Sequence, residues 1–141
     1  MLTVITGAPC SGKTTYLNEH AQPGDVRIDF DTIAQALGSP VRHEHPEHVR
    51  MVTIATRRAA ITAAIEQHHK GATVWIVDTN PGARMLAYRK AGARIVTMTA
   101  DTDELYRRAA ASRPPRWRQL IDEYFVNTAL GPDAQRPARR R

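Results

Sequence analysis

Residues 7–14 read Gly-Ala-Pro-Cys-Ser-Gly-Lys-Thr and fit the pattern G-x-x-x-x-G-K-[ST]. The flanks give the match its weight. Leu2 to Thr6 is a short apolar run that predicts a strand, and Lys13 to His20 suits a helix. Strand, loop and helix in that order are what a phosphate-wrapping loop needs. Gly7 and Gly12 allow positive φ and a tight curl. Successive backbone N–H groups around Ala8, Pro9, Cys10 and Ser11 then make an anion nest at the positive end of the helix. The expectation is that Gly7 to Thr15 hold the phosphates of ATP. Lys13 would reach the β- and γ-phosphates, Thr14 would give its hydroxyl to Mg²⁺, and Thr15 would lie near the α-phosphate. Cys10, the only cysteine, reads as a small filler, with a redox-sensitive thiol as the alternative.

Outward from this loop the chain alternates. Val26–Phe30 predicts a second strand and Asp31–Leu37 a helix, ended by Gly38-Ser39-Pro40. Pro46 opens a long helix, Glu47–His69, closed by Gly71. Thr73–Val77 is a strand apolar after its first residue, as one buried on both faces would be. A helix from Pro81 to about Gly92, a strand over 93–99, and helices over 102–111 and 117–130 complete the series. Such alternation predicts an α/β fold with one parallel sheet of about four strands and helices on both faces. Ligands should bind at the carboxyl ends of the strands.

At 141 residues the chain is long enough for one domain, placed at residues 1–131. Residues 132–141 read as a basic, solvated, disordered tail. The net charge is +6, and Asp133 with Arg136, Arg139, Arg140 and Arg141 accounts for +3 of it. That balance suits an anionic partner, a nucleotide or nucleic acid. A single cysteine, no long apolar run and a start directly into the first strand predict a cytoplasmic protein, in the host cytoplasm if phage-encoded, with no membrane partner.

The loop alone does not define a reaction. No N-K-x-D base-reading stretch is present, which excludes the usual GTPase pattern. A kinase needs a carboxylate for the acceptor proton and cations for the transferred group. Asp29-Phe30-Asp31 at the end of the second strand supplies carboxylates. Alternation there would put Asp29 and Asp31 on one side, one holding a Mg²⁺-bound water while the other takes the hydroxyl proton. Helix capping by Asp31 is the structural alternative. Asp78, after the third strand, is a further metal-site acid expected near Thr14. Thr79 and Asn80 are candidates to position the acceptor. Arg107, Arg108, Arg113, Arg116 and Arg118, broken by Pro114 and Pro115, predict a short mobile lid that brings guanidinium groups, Arg108 and Arg113 above all, to the phosphates. His43, His45 and His48 flank Pro46 in a loop at the mouth of the acceptor site, with metal binding the alternative.

These residues resemble the polynucleotide kinase-like branch of P-loop kinases. Gly-Ala-Pro-Cys-Ser-Gly-Lys-Thr-Thr is similar to that family's G-x-P-G-S-G-K-[ST]-T. Ile28-Asp29-Phe30-Asp31 is similar to its base segment, and Asp78-Thr79-Asn80 to its strand-end D-T-N. The likeness runs over roughly residues 1–130. It implies an ATP-dependent kinase with an arginine-bearing lid, Asp31 as base, Mg²⁺, and a nucleic-acid or nucleotide acceptor. Ala34 stands where the family has an arginine three residues after the base, and Arg108 and Arg113 are five apart where four is common. The D-x-D segment also resembles small-molecule kinases of the shikimate and gluconate type. A non-catalytic ATP-binding module is the third reading.

Overall fold

The computed structural model describes residues 1–130. The tail expected over 132–141 lies outside the described residues. The elements are β1 (Leu2–Gly7), α1 (Lys13–His20), β2 (Val26–Ile28), α2 (Phe30–Ala36), α3 (Glu47–His69), β3 (Val74–Val77), α4 (Arg84–Lys90), β4 (Arg94–Met98), α5 (Thr102–Ser112) and α6 (Trp117–Leu130). All strand pairs are parallel, in the order β2-β3-β1-β4. The α/β class and four-stranded parallel sheet match the expectation from alternation.

The apolar runs explain why β1 and β3 are central. Leu2, Val4, Val74 and Ile76 share one face with Ile28, and meet Ile61 and Ala64 of α3, Tyr88 of α4 and Ala91 just after it. Ile5, Trp75 and Val77 share the other, against Leu17 of α1 and Ala21 at its end. Burying each large apolar side chain contributes about 1.5–3 kcal/mol, and period-two alternation lets one strand serve both layers. After β1 the chain runs to β2, two places to one side; after β3 it runs to β4, two places to the other. The connections diverge between β1 and β3, which opens a crevice at their carboxyl ends.

The end of β2 and the start of α4 differ most from expectation. β2 ends at Ile28 because Asp29 leaves the strand to cap α2, its Oδ1 accepting from the Asp31 N–H at 3.2 Å. The cap is therefore Asp29, and Asp31 lies in the first helical turn. The two carboxylates share a side through this cap geometry rather than through strand alternation. β2 is the edge strand and pairs with β3. Helix α4 starts at Arg84 rather than Pro81 because Gly82, at φ 50, takes a left-handed turn that a helix cannot continue through.

Helices α5 and α6 form a hairpin broken at Arg113-Pro114-Pro115-Arg116. Arg113 is extended, as a residue before proline is driven to be. The hairpin is seated: Leu105, Ala109 and Ile121 form a small core with Ala8.

Candidate functional site

A cleft of about 1020 Å³ opens at the carboxyl ends of the strands. Its walls bring together Pro9 to Thr15, Asp29, Asp31, Asp78, Thr79, Asn80, Arg108 and Arg113. The three strand-end segments and the arginine hairpin thus meet in one place.

The loop curls as its glycines allow. Gly7 is at φ 131 and Gly12 at φ 94. A side chain at Gly7 would bring its Cβ to 2.3 Å from the Met98 carbonyl oxygen, so this position admits only glycine beside β4. Cys10 is also left-handed, at φ 65. Burial pushes its thiol up, against the pull of Arg113, Lys13 and Arg108. That opposes the reactive-thiolate reading, since the thiolate is the reactive form. Ala8 is buried under the α5–α6 hairpin. Ser11 Oγ is buried and has no hydrogen-bond partner among the described residues.

Lys13 is buried, and its Nζ donates to the carbonyls of Gly7 at 2.8 Å and Ala8 at 2.6 Å. Burial lowers it to about 8, with Asp29 and Asp31 among the charges that oppose the fall. Thr14 donates its hydroxyl to Asp29 Oδ2 at 3.3 Å. Asp29 is buried as well, and the same oxygen accepts from Arg42 at 3.2 Å. Thr15 is exposed on the rim of the cleft.

Asp31 is held by two imidazoles. His43 Nδ1 lies 2.7 Å from Oδ2, and His45 Nε2 lies 2.7 Å from Oδ1. His45 Nδ1 is in turn 2.6 Å from Ser39 Oγ. His48 is exposed on α3, away from this pairing. Among the described residues no group of three or more His, Cys, Asp or Glu side chains could hold a metal ion; His43 and His45 instead meet Asp31.

Asp78 lines the same cleft as Thr14, and its hydrogen bonds run to α4. Its oxygens accept from Arg84 Nε at 2.9 Å and Nη2 at 3.0 Å, and from the Tyr88 hydroxyl at 2.8 Å. Arg57 adds an ion pair at 3.4 Å. Burial alone would raise this carboxyl, but the Arg84 hydrogen bond, the Arg57 and Arg84 charges and Tyr88 hold it below its ordinary value. The acid paired with Thr14 is Asp29. Through these partners Asp78 ties β3 to α3 and α4. Thr79 and Asn80 line the cleft, and their carbonyls accept from Thr6 Oγ1 at 3.3 Å and from Arg84 at 3.1 Å.

Arg108 reaches the loop directly, Nη1 donating to the Cys10 carbonyl at 3.3 Å. Arg113 stacks over the Trp117 ring, 5.3 Å from its centroid. Arg108 and Arg113 both line the cleft. Arg42, Arg57, Arg84, Tyr88 and Ser39 carried no signal in the sequence beyond their type. The paired histidines did: they bracket Glu44 twelve and fourteen residues after Asp31.

No helix among the described residues is long and apolar enough to cross a membrane. No known family model matches the chain, and no curated protein matches it either.

Proposed function

We propose that the protein is an ATP-dependent kinase of P-loop kinase fold, which moves the γ-phosphate of ATP to a hydroxyl of a nucleic acid or nucleotide. The observation that carries this reading is the shared cleft: the Gly7–Thr15 loop, the Asp31 centre and the two hairpin arginines line it together, with Asp29 bonded to Thr14 between them. The donor set fits nucleotide phosphates. Ser11 carries a buried hydroxyl with no partner among the described residues, the loop turns left-handed at Gly7, Cys10 and Gly12, and Lys13 brings an ammonium to the same cleft. Thr14 and Asp29 would hold Mg²⁺, the acid through water. When bound, the ion neutralises charge on the β- and γ-oxygens.

The chain's own groups divide the remaining work. Lys13, Arg108 and Arg113 balance charge on the transferred group. The Asp31 centre draws the proton from the acceptor hydroxyl, and Thr79 and Asn80 border the path by which the acceptor enters. Support for a nucleic-acid type of acceptor comes from the +6 charge and the resemblance carried by Asp78-Thr79-Asn80.

The test is a transfer assay with γ-labelled ATP and Mg²⁺, offered 5′-hydroxyl oligonucleotides, modified DNA, nucleosides and sugar acids. Label should pass to a nucleic-acid or nucleotide acceptor. Lys13→Ala should abolish transfer with the fold intact, and Asp31→Asn should keep ATP binding while losing transfer. Transfer to sugar acids alone would replace the acceptor class with that of shikimate- and gluconate-type kinases. ATP binding without transfer to any acceptor would leave a binding module. Near-normal turnover by Lys13→Ala would refute the phosphate-loop assignment.

A further inference from the structure

His43 is held in an unusual state. Its backbone is at φ 72, a left-handed conformation uncommon for residues with a side chain. Such strain persists where the surroundings over-determine it, and here they do. Its Nδ1 is tied to Asp31 at 2.7 Å. Its ring meets Trp117 edge-on at 5.4 Å, and its carbonyl accepts from Trp117 Nε1 at 3.3 Å and Arg116 at 3.5 Å. The loop that carries His43 is thereby joined to the arginine hairpin, and its side chain, 13% exposed, lines the cleft with the Gly7–Thr15 loop.

The two histidines on Asp31 are not equivalent. His45 has both nitrogens engaged, Nε2 on Asp31 and Nδ1 on Ser39. His43 spends only Nδ1, and no hydrogen bond among the described residues reaches its Nε2. An ionised carboxylate only accepts, so Nδ1 carries the proton, and Nε2 of the neutral ring is left as an acceptor. Burial lowers His43 below the ordinary imidazole value against the pull of Asp31, with Arg113 and Arg42 acting in the same direction as burial. The ring is therefore neutral near pH 7. The Asp31 charge also acts on Lys13, so the phosphate side and the imidazole side of the cleft converge on one carboxylate.

We propose that His43 is the catalytic base: its Nε2 takes the proton of the acceptor hydroxyl, and Asp31, steadied on its other oxygen by His45, stabilises the imidazolium that results. The proposal rests on the kinase reading and moves the proton-accepting atom from Asp31 to His43. The hydroxyl oxygen forms a bond to the γ-phosphorus. The bond from that phosphorus to the β–γ bridging oxygen breaks, and ADP leaves with its electron pair. The hydroxyl proton ends on Nε2. His45 is a positioning residue.

Long-range ¹⁵N–¹H NMR of the full chain at pH 7 tests the dyad without needing an acceptor. His43 should be neutral and protonated on Nδ1, and Asp31→Ala should return it to the commoner Nε2–H form. A charged ring, or Nε2–H in the wild type, would overturn the proposal. A kinetic arm uses Mg·ATP alone, with water as acceptor and ADP release as readout. His43→Ala should lower kcat by about 100-fold or more, keep KM for ATP within about twofold, and regain rate with imidazole in the buffer. Undiminished turnover, or a loss shared by KM that imidazole does not restore, would make His43 structural and overturn the proposal. Failure of the kinase reading looks different: Lys13→Ala would then turn over ATP as the wild type does, whatever tautomer His43 holds.

Discussion

Lys13 shows how a side chain can be poised by burial. Its ammonium donates to the Gly7 and Ala8 carbonyls, and desolvation lowers it to about 8. An anion in the loop restores the charged form, so binding must draw in a proton whenever the free lysine has lost one. Mg·ATP binding at pH 8.5 should take up more protons than binding at pH 6.5. Calorimetry in buffers of different ionisation heat measures this, and Lys13→Met should remove the pH dependence; uptake that is the same at both pH values would count against it. The stability of the free protein carries the same sign. Between about 8 and 10.5 the unfolded chain binds more protons at this residue than the folded one, so this group's contribution to stability rises with pH across that window.

At the scale of elements, Asp78 ties β3 to α3 through Arg57 and to α4 through Arg84 and Tyr88. Removing one partner of a buried, paired charge costs about 3–5 kcal/mol, because the others are left uncompensated. Asp78→Ala should lose stability on that scale in urea unfolding, and Tyr88→Phe about 1.5–3 kcal/mol, as for a hydrogen bond to a charged group. ATP affinity should change only a few-fold in both. A large loss of Mg·ATP affinity at unchanged stability would return Asp78 to the metal site. Asp78 is held below its ordinary value, so its contribution is complete above the unfolded carboxylate value of about 3.9 and is lost as pH falls through the folded one. The strand-end acid was legible in sequence as an acid. Its role was not, because Arg57 and Arg84 become its neighbours only when α3 and α4 pack on the same sheet face.

For the whole molecule, the divergence of connections between β1 and β3 brings Pro9 to Thr15, the strand-end acids and the hairpin arginines around one crevice. A ligand there touches the loop, the sheet and the α5–α6 hairpin together, so it should stabilise the fold as a unit. Mg·ATP at a hundredfold excess over its Kd should add about 2.7 kcal/mol, visible as a rise in Tm that Lys13→Met abolishes; a wild type without that rise would contradict a phosphate site. What the sequence by itself determined is local. The alternation of apolar runs set the parallel sheet, and Gly7 to Thr15 set the loop, because positive φ, anion-facing amides and a lysine are written in residue types at fixed spacing. What only the tertiary structure decided is pairing. Asp29, not Asp78, meets Thr14, and Asp31 is met by His43 and His45. Those contacts depend on a cap that ends β2 early and on a loop that folds back over α2, and a carboxylate's partner is set by distance in space, which spacing along the chain does not encode.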